Sequence, residues 1–544
     1  MCLLAVFLFT AGAVRVQGVP LKTDAGGRSF ADIALEESVV PVRAGVPGEK
    51  PFWNQYAKRF IYAPAFDYKP VRDAAQYRYD VVSENSGGTL SFTAKNPWQP
   101  LSPIWAKVPV GYFTITVTGV SADGKDAGTA GTGRYYRAAT FAGEYHAPVL
   151  EYDVSAKTAL SILMHKPFVE HWLENGKPDP AYSLYRYPSK IFSALIIGAL
   201  THAKLASGTP DQARSEKIAV ITADYLMSLR FKPGTPWEYH TPTYHGYTTG
   251  KAKGSNKELM QEYNHMTIMG VDTGNAYLDL YDYTGNRKYF DEAVRIAETY
   301  KKRQLPGGSW VLYVNHHTNK PFVERIAIPT QIINYYDRLR TDYGVKGLEE
   351  STARALKWIM DVPVKTFDWV GQFEDIKPRK EYGNLSREQA CDLAMYLLKN
   401  SPASRTRKAD VALAEELIRF SEDQFVVWEK PMPRKGKGPN DGANSANWIT
   451  PCVQEQAVYW LPVGRSAAIM IETYKAAYAC TGREIYLAKA KSMANSFTLM
   501  QEAQDGNYTT MFVRGKWPTF WLNSVVYPAK TMMRLQESIN ANFK

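Results

Sequence analysis

Two adjacent carboxyl side chains, Glu374 and Asp375, lie in residues 369–389, the segment richest in candidate catalytic and substrate-binding side chains. Adjacent side chains point in different directions, so one acid could act on a substrate while the other orients it. The alternative is a solvated acidic pair that balances the basic residues just after it. The same segment holds three residues predicted to bind substrate: Tyr382, Asn384 and Arg387.

A second segment, residues 310–325, offers a base, an acid and a cation. His316 and His317 could take up a proton or bind substrate, and Glu324 is a further candidate catalytic carboxyl. Arg325 could hold a carboxylate, because its planar guanidinium forms two parallel hydrogen bonds. The alternative is a polar turn with one exposed histidine.

His240 and His245 form an HxxxxH pattern, with His265 further on, that could suggest a metal site, but Thr, Pro and Tyr lie between the first two. Those residues indicate a loop, so the helical spacing rule does not apply. Both histidines are therefore predicted to hydrogen-bond a substrate. We expect no metal and no other cofactor.

Helical hairpins must position these groups, because the pattern after residue 150 is helical and repeats. Residues 281–310 and 478–508 share Tyr-x-x-Thr-Gly-x-x-x-Tyr, an amphipathic helix, a glutamine (Gln304 and Gln501) and a glycine-containing turn. Further helices are predicted at 154–174, 191–206, 211–230, 328–342, 347–362, 386–400, 409–428 and 523–541. If the first and last of these pair, they close a ring of six hairpins; an unclosed repeat would be a solenoid.

The connections between hairpins are long, and in a closed ring they emerge on one rim, where binding groups usually lie. Glu455 is predicted to begin the fifth inner helix and to act as a catalytic carboxyl, with Arg465 further along as a substrate ligand. A favourable interaction with the helix dipole is an equal explanation for Glu455. Trp310, Trp369 and Trp521 could stack on a ligand or fill the gaps between hairpins.

The N-terminal part of the chain has a different character. Residues 1–18 resemble a signal peptide, which predicts an exported, periplasmic or extracellular protein. Residues 77–141 show strand alternation, which predicts a small antiparallel β-domain within residues 19–149. The expected fold class is therefore mainly α: an (α/α)6 toroid, residues 150–544, preceded by this β-domain.

Composition narrows the class of partner. The 544 residues include 65 Lys and Arg against 54 Asp and Glu, a net charge of +11, and 13% are aromatic. These values exclude a coiled coil and a collagen-like chain, and the positive charge indicates an anionic partner.

After the first residues the sequence contains no long apolar run, so an integral membrane protein is not expected. Three scattered cysteines, Cys391, Cys452 and Cys480, form neither a disulfide framework nor a zinc motif.

Short-turned helical hairpins that each lead into an aromatic-rich rim loop resemble the six-hairpin (α/α)6 glycosidases and polysaccharide lyases. Within that superfamily the chain looks most similar to β-glucuronidase-like glycoside hydrolases of bacterial polysaccharide-utilisation systems. The resemblance implies a hydrolase that releases a uronic acid from an acidic oligosaccharide or polysaccharide. Such an enzyme uses two carboxyl groups on either side of the scissile bond.

Two other functions remain open from the sequence. A polysaccharide lyase would use the same cavity, with His316, His317 or Tyr382 removing a proton beside the uronate carboxylate. A toroid that binds glycans without catalysis is the third hypothesis. Nucleic acid is not an expected partner, because no recognised RNA- or DNA-binding module is present.

Overall fold

The computed structural model describes residues 22–44, 53–143, 145–246, 259–376, 381–400, 406–433, 445–456, 461–514 and 520–542. The predicted signal peptide, residues 1–18, lies outside the described residues. So do the basic residues of segment 377–380, which the sequence suggested as counter-charges for the acidic pair.

Helices dominate the described residues, which confirms the mainly α class. The helices are α1 (Phe30–Ser38), α2 (Ser102–Trp105), α3 (Tyr152–Met164), α4 (Pro167–Asn175), α5 (Pro188–Leu205), α6 (Pro210–Ser228), α7 (Gly270–Thr284), α8 (Arg287–Arg303), α9 (Thr330–Tyr343), α10 (Glu349–Asp361), α11 (Pro363–Thr366), α12 (Glu388–Asn400), α13 (Thr406–Phe425), α14 (Gly464–Thr481), α15 (Glu484–Glu502) and α16 (Asn523–Asn540). The strands are β1 (Arg59–Phe60), β2 (Gln76–Ser83), β3 (Thr89–Ala94), β4 (Gly111–Val120), β5 (Asp126–Arg137), β6 (Asn264–Met266), β7 (Val311–Asn315), β8 (Pro321–Ile326), β9 (Val426–Val427) and β10 (Cys452–Val453).

Contacts between the helices follow a closed cycle. Helices α5, α7, α9, α12, α14 and α16, here called the inner helices, each pack against the next, and α16 packs against α5. Each inner helix also pairs with one outer helix, and α3 pairs with α16 as the sequence suggested. The predicted single helix over residues 154–174 is instead two helices, because Pro167 begins α4, where a missing backbone N–H costs nothing.

The repeated motif has a structural explanation in both copies. Gly285 and Gly482 lie in the left-handed conformation just after α7 and α14, which a glycine adopts without steric cost. Gln304 donates to the carbonyls of Gly308 and Ser351, both at 2.8 Å. In the second copy, Gln501 donates to the carbonyl of Gly506 at 2.7 Å and to that of Ser155 at 2.9 Å. Each glutamine thus ties its glycine turn to the next outer helix of the cycle.

The strands predicted over residues 77–141 are β2 to β5, and β1, which was not predicted, joins them in one five-stranded sheet in the order β1-β5-β4-β2-β3. Its pairs are antiparallel except for the parallel pair of β1 and β5. Trp105 lies in its core and donates to the carbonyl of Ile61 at 2.8 Å. Asp423 of α13 accepts from the backbone N–H groups of Ile61 and Tyr62 at 2.6 and 2.8 Å, so the sheet region is joined to the helices by buried hydrogen bonds.

The loops between hairpins contain strands that the sequence did not predict. Strands β6, β7 and β8 form a three-stranded antiparallel sheet, and β9 pairs with β10. The segment around His316 and His317 is therefore the turn of a β-hairpin. Within the described ranges, no helix combines the length and the apolar character needed to cross a membrane.

The contact that closes the cycle gives a stability prediction. A Cβ atom built on Gly198 of α5 would lie 2.5 Å from Cγ2 of Val526 in α16. Helix propensity alone predicts that Gly198→Ala stabilises the fold by roughly 1 kcal/mol. We expect overpacking to outweigh this effect, with a net loss of about 1–2 kcal/mol in the free energy of unfolding measured with urea. A gain in stability would contradict the close approach of α5 and α16.

Candidate active site

The segment 369–376, here called the carboxyl loop, is held in place along its length. The Gly371 N–H donates to the carbonyl of Asn384 at 2.6 Å. The Gln372 amide accepts from the Ile328 N–H at 2.9 Å and donates to the Ile328 carbonyl at 3.1 Å. The loop therefore keeps a fixed path between the third and fourth hairpins.

Two tyrosines fix the end of the carboxyl loop. The Tyr313 hydroxyl donates to the carbonyl of Phe373, and the Tyr244 hydroxyl donates to the carbonyl of Glu374. Burial raises the pKa of both phenols, and the negative charge of Glu374 raises them further. Both tyrosines therefore stay protonated and act as donors to the loop.

Glu374 is 5% exposed and pairs with Lys190 in the first turn of α5, with 2.5 Å between Oε1 and Nζ. Burial alone would raise the pKa of Glu374, but the ammonium group of Lys190 outweighs it and lowers the pKa below its usual value. Glu374 is consequently ionised over the whole neutral range. A buried carboxylate of this kind can act as a base or a nucleophile.

Asp375 and Glu455 adjoin this ion pair and behave differently from Glu374. Asp375 is exposed as a residue, but its carboxyl group is largely surrounded by protein atoms. This loss of solvation raises the pKa of Asp375, and the charge of Glu374 raises it further. Burial raises the pKa of Glu455 to about 7, against the opposing charges of Lys190 and Arg387. A carboxyl group of lowered pKa and two of raised pKa thus meet in one place, which we call the carboxyl cluster: Lys190, Glu374, Asp375, Arg387 and Glu455.

A cavity of about 780 Å³ runs along the inside of the cycle and is lined by all six inner helices. At its inner end Arg465 of α14 pairs with Glu388 of α12 at 2.6 Å, and Gln331 donates to the same carboxylate oxygen at 3.2 Å. Burial raises the pKa of Asp272 to about 6 and that of Asp392 to about 8. The charges of Lys190 and Glu374 act on Asp272, so the carboxyl cluster adjoins this end of the cavity.

Further along the cavity Asp279 is clamped by Lys530 at 2.5 Å and by Arg338 at 2.8 Å. These two cations lower its pKa in spite of burial. Arg338 also pairs with Asp282 at 3.0 Å. The outer half of the cavity is thus an ionised belt, whereas carboxyl groups of raised pKa occupy its inner half.

Five predicted site residues come together in the structure. Glu374, Asp375, Glu455 and Arg387 lie in the carboxyl cluster, and Arg465 lies at the adjoining end of the cavity. Glu455 does not begin an inner helix, because α14 starts only at Gly464. It lies in the preceding loop, where its backbone carbonyl accepts a hydrogen bond from the Arg387 guanidinium. The helix-dipole explanation for Glu455 is therefore wrong.

The predicted aromatic ligands are mostly packing residues. Trp310 and Trp369 are fully buried, and Trp310 donates to the Tyr300 carbonyl at 2.8 Å. Neither indole presents a face to a ligand, because helices and loops cover both. Trp521 is half-buried beside α16.

The predicted histidines fall into two groups. His240 is fully buried, and its Nδ1 lies 3.2 Å from Nε2 of His265; burial lowers the pKa of both rings. His240 therefore belongs to the core. His245 is half-buried, and burial lowers its pKa too. In the described ranges no three His, Cys, Asp or Glu side chains gather as metal ligands.

The rings of His316 and His317 in the β7–β8 hairpin lie 3.8 Å apart, but Glu324 and Arg325 do not join them. His316 stacks on Phe231 with ring centroids 3.9 Å apart, and His317 is exposed. Glu324 is exposed on β8. Arg325 lies 3.8 Å from Asp368, which precedes the carboxyl loop.

Two further predicted ligands follow the carboxyl loop. Tyr382 is 4% exposed, and its hydroxyl donates to the carbonyl of Thr366 at 2.5 Å. Asn384 is half-buried and contributes its backbone carbonyl to the loop contact described above.

Four residues of the site were not predicted as site residues: Lys190, Glu388, Asp392 and Tyr187. The sequence carried a signal for them, because each charged one lies in a helix with many apolar residues. Charged side chains are seldom buried unless they are paired. A search for such residues on the inner helices would have found them.

No protein-family model and no curated protein matches the sequence. Three solved structures are similar to this chain at low sequence identity. A family 76 glycoside hydrolase from a bovine Bacteroides thetaiotaomicron strain is 8% identical, with 87% of this chain and 95% of that chain covered and a TM-score of 0.46. The cellobiose 2-epimerase of Spirochaeta thermophila is 12% identical, with 71% of this chain and 98% of that chain covered and a TM-score of 0.46. An unsaturated glucuronyl hydrolase specific for heparin is 10% identical, with 72% of this chain and 98% of that chain covered and a TM-score of 0.42. At these identities and TM-scores they carry no argument about this chain's reaction, and a special closeness to β-glucuronidases stays a prediction.

The buried ion pair can be tested by a double-mutant cycle. Glu374→Gln or Lys190→Met alone leaves one buried charge uncompensated, which costs about 3–5 kcal/mol in the free energy of unfolding. The double variant removes both charges, so we expect it to lose less than the sum of the two single losses. Urea unfolding of the four proteins measures the coupling. Additive losses would contradict a direct ion pair.

Proposed function

We propose that the protein is a glycoside hydrolase that cleaves an acidic glycan and releases a uronic acid. One observation carries the proposal: Glu374 is held ionised by Lys190, while Glu455 in the same cluster has a pKa raised to about 7. Glycoside hydrolysis needs one ionised and one protonated carboxyl group, and environments that drive two pKa values apart supply these two states.

The two carboxyl groups then have distinct roles. Glu455, protonated at neutral or mildly acidic pH, donates its proton to the leaving glycosidic oxygen. Glu374, ionised, either attacks the anomeric carbon or activates a water molecule. Asp375, whose pKa is raised to about 6, lies beside Glu374 and can donate a hydrogen bond to the substrate only in its protonated form, below about pH 6.

The acidic substrate class rests on the cations of the site. Lys190, Arg387 and Arg465 converge with carboxyl groups of which Glu455 and Asp272 are partly neutral near pH 6–7. Protonation of these acids leaves the positive charges less compensated, which favours an anionic sugar. We further propose that residues 1–18 direct export, which would bring the enzyme to extracellular or periplasmic polysaccharide.

A polysaccharide lyase with the predicted base Tyr382 is less favoured. Its hydroxyl is committed to the Thr366 carbonyl, and burial raises its pKa. Burial also raises the pKa of Tyr187, and the charges of Glu374 and Asp375 raise it further. A phenolate base would be costly at either position, whereas the two carboxyl groups already have the protonation states that hydrolysis needs.

Product analysis separates the two reactions. The purified protein is incubated with oligosaccharides that contain glucuronate or galacturonate, and released sugar is measured beside the ultraviolet absorbance of unsaturated uronates. Release of saturated uronic acid without that absorbance supports the hydrolase. Growth of the absorbance would overturn it in favour of the lyase, and binding without turnover would favour a glycan-binding module.

The catalytic carboxyl groups can be tested one by one. We expect Glu374→Gln and Glu455→Gln each to lower kcat by about 100-fold or more, because each loses its acid–base function. Glu381→Gln is the matched control, since this exposed carboxyl lies in the segment just after the carboxyl loop. Circular dichroism confirms that each variant is folded at the assay temperature. Normal turnover of both active-site variants would contradict the assignment.

The pKa shifts predict the pH dependence of kcat/KM. Activity should fall as pH rises through about 7, where Glu455 loses the proton that it must donate. It should also fall at low pH, where Glu374 becomes protonated. Lys190→Met removes the charge that lowers the pKa of Glu374, so the acidic limb should move to higher pH. A limb that stays in place would show that Lys190 does not set this pKa.

A further inference from the structure

The aromatic side chains of the described residues are almost all covered, with two exceptions. Tyr56 and Tyr263 are each 43% exposed. Tyr56 differs from Tyr263 in that its ring stacks on a second aromatic ring, that of Tyr382, with the centroids 4.7 Å apart and 14° between the planes. One face of the Tyr56 ring is therefore covered, and its exposure lies on the opposite face and the edge.

The stack is rigid from both sides. Tyr56 ends a 3-10 turn that begins at Trp53, whose indole is 2% exposed and donates to the carbonyl of Val42 at 3.0 Å. Trp53 also packs edge-on against Phe420 of α13, with centroids 5.2 Å apart. The exposed ring of Tyr56 thus stands on a turn that the core anchors, and it has little conformational freedom to lose on binding a ligand.

Tyr382 connects this stack to the segment that carries the carboxyl pair. Its backbone has a φ of +56°, a left-handed conformation that is uncommon for a residue with a side chain, and its N–H donates to Asp368 Oδ1 at 2.9 Å. Asp368 Oδ2 lies 3.8 Å from the guanidinium of Arg325, whose side chain keeps 25% of its surface exposed. A flat aromatic face and a partly exposed cation therefore belong to one connected structure beside the carboxyl loop.

We propose that Tyr56 and Arg325 form a distal subsite for a uronosyl residue of a longer acidic glycan. The free face of Tyr56 packs against the apolar C–H face of a pyranose ring, and Arg325 binds the carboxylate of the chain. The subsite is contributed in part by the N-terminal segment, so that segment helps to select substrate length. The assignment deepens the proposed function and rests on it for the acidic class of ligand.

Chain-length dependence tests the subsite. We expect Tyr56→Ala to lower kcat/KM about tenfold on uronate hexasaccharides and to leave kcat/KM on the corresponding disaccharides unchanged. Tyr56→Phe keeps the ring and should behave as the parent protein does. Tyr263→Ala is the matched control, because Tyr263 is equally exposed but stacks on no aromatic ring within the described part of the chain. An equal loss on both chain lengths, or an equal loss in Tyr263→Ala, would overturn the subsite.

Binding without turnover separates failure of the subsite from failure of the proposed function. Native affinity electrophoresis uses gels that contain polygalacturonate, alginate or hyaluronan, with neutral mannan as the comparison. We expect at least one acidic polymer to retard the parent protein, and Tyr56→Ala and Arg325→Gln to weaken that retardation. Such a result in a protein without hydrolase activity would support the subsite and overturn the hydrolase. Hydrolysis with unchanged retardation in both variants would overturn the subsite alone, and retardation by mannan only would overturn its acidic specificity.

Discussion

The ion pair between Lys190 and Glu374 is the interaction on which the candidate site depends, because it fixes a buried negative charge beside the first turn of α5. Lys190 belongs to the first turn of α5, and Glu374 belongs to the loop before α12, so the pair connects two distant hairpins. A buried carboxylate without a partner would take up a proton. With Lys190 at 2.5 Å, Glu374 stays ionised, and its charge then helps to raise the pKa of Asp375 and Glu455.

This electrostatic arrangement requires a rigid scaffold, which the carboxyl loop supplies. The loop is held by the Asn384 carbonyl, the Ile328 backbone and the hydroxyl groups of Tyr244 and Tyr313. Ile328, Tyr244 and Tyr313 are close to the loop in space but far from it in the sequence. The position of Glu374 therefore does not depend on the local conformational preference of its own segment. Preorganised charges of this kind need no rearrangement when a reaction begins.

Parts of the fold were predictable because they rest on local signals. The Thr-Gly steps at Gly285 and Gly482 end helices in the left-handed conformation, and Gln304 and Gln501 make equivalent contacts with their glycine turns. The periodic apolar residues placed most helix boundaries within a few residues. The β-hairpin at 311–326 was missed, because its strands are short and, among the described residues, pair with each other and with β6. Its side chains were consequently assigned to an irregular loop.

The sequence by itself determined the helical repeat, the strand-rich N-terminal region and the choice of Glu374, Asp375, Glu455, Arg387 and Arg465 as candidate residues. Only the tertiary structure decided that these five lie near one another, that Lys190 completes the cluster, and that Trp310, Trp369 and His240 are core residues. Residue type and spacing show what a side chain can do. Burial and the nearest opposite charge decide its protonation state, and both depend on contacts between residues far apart in the chain.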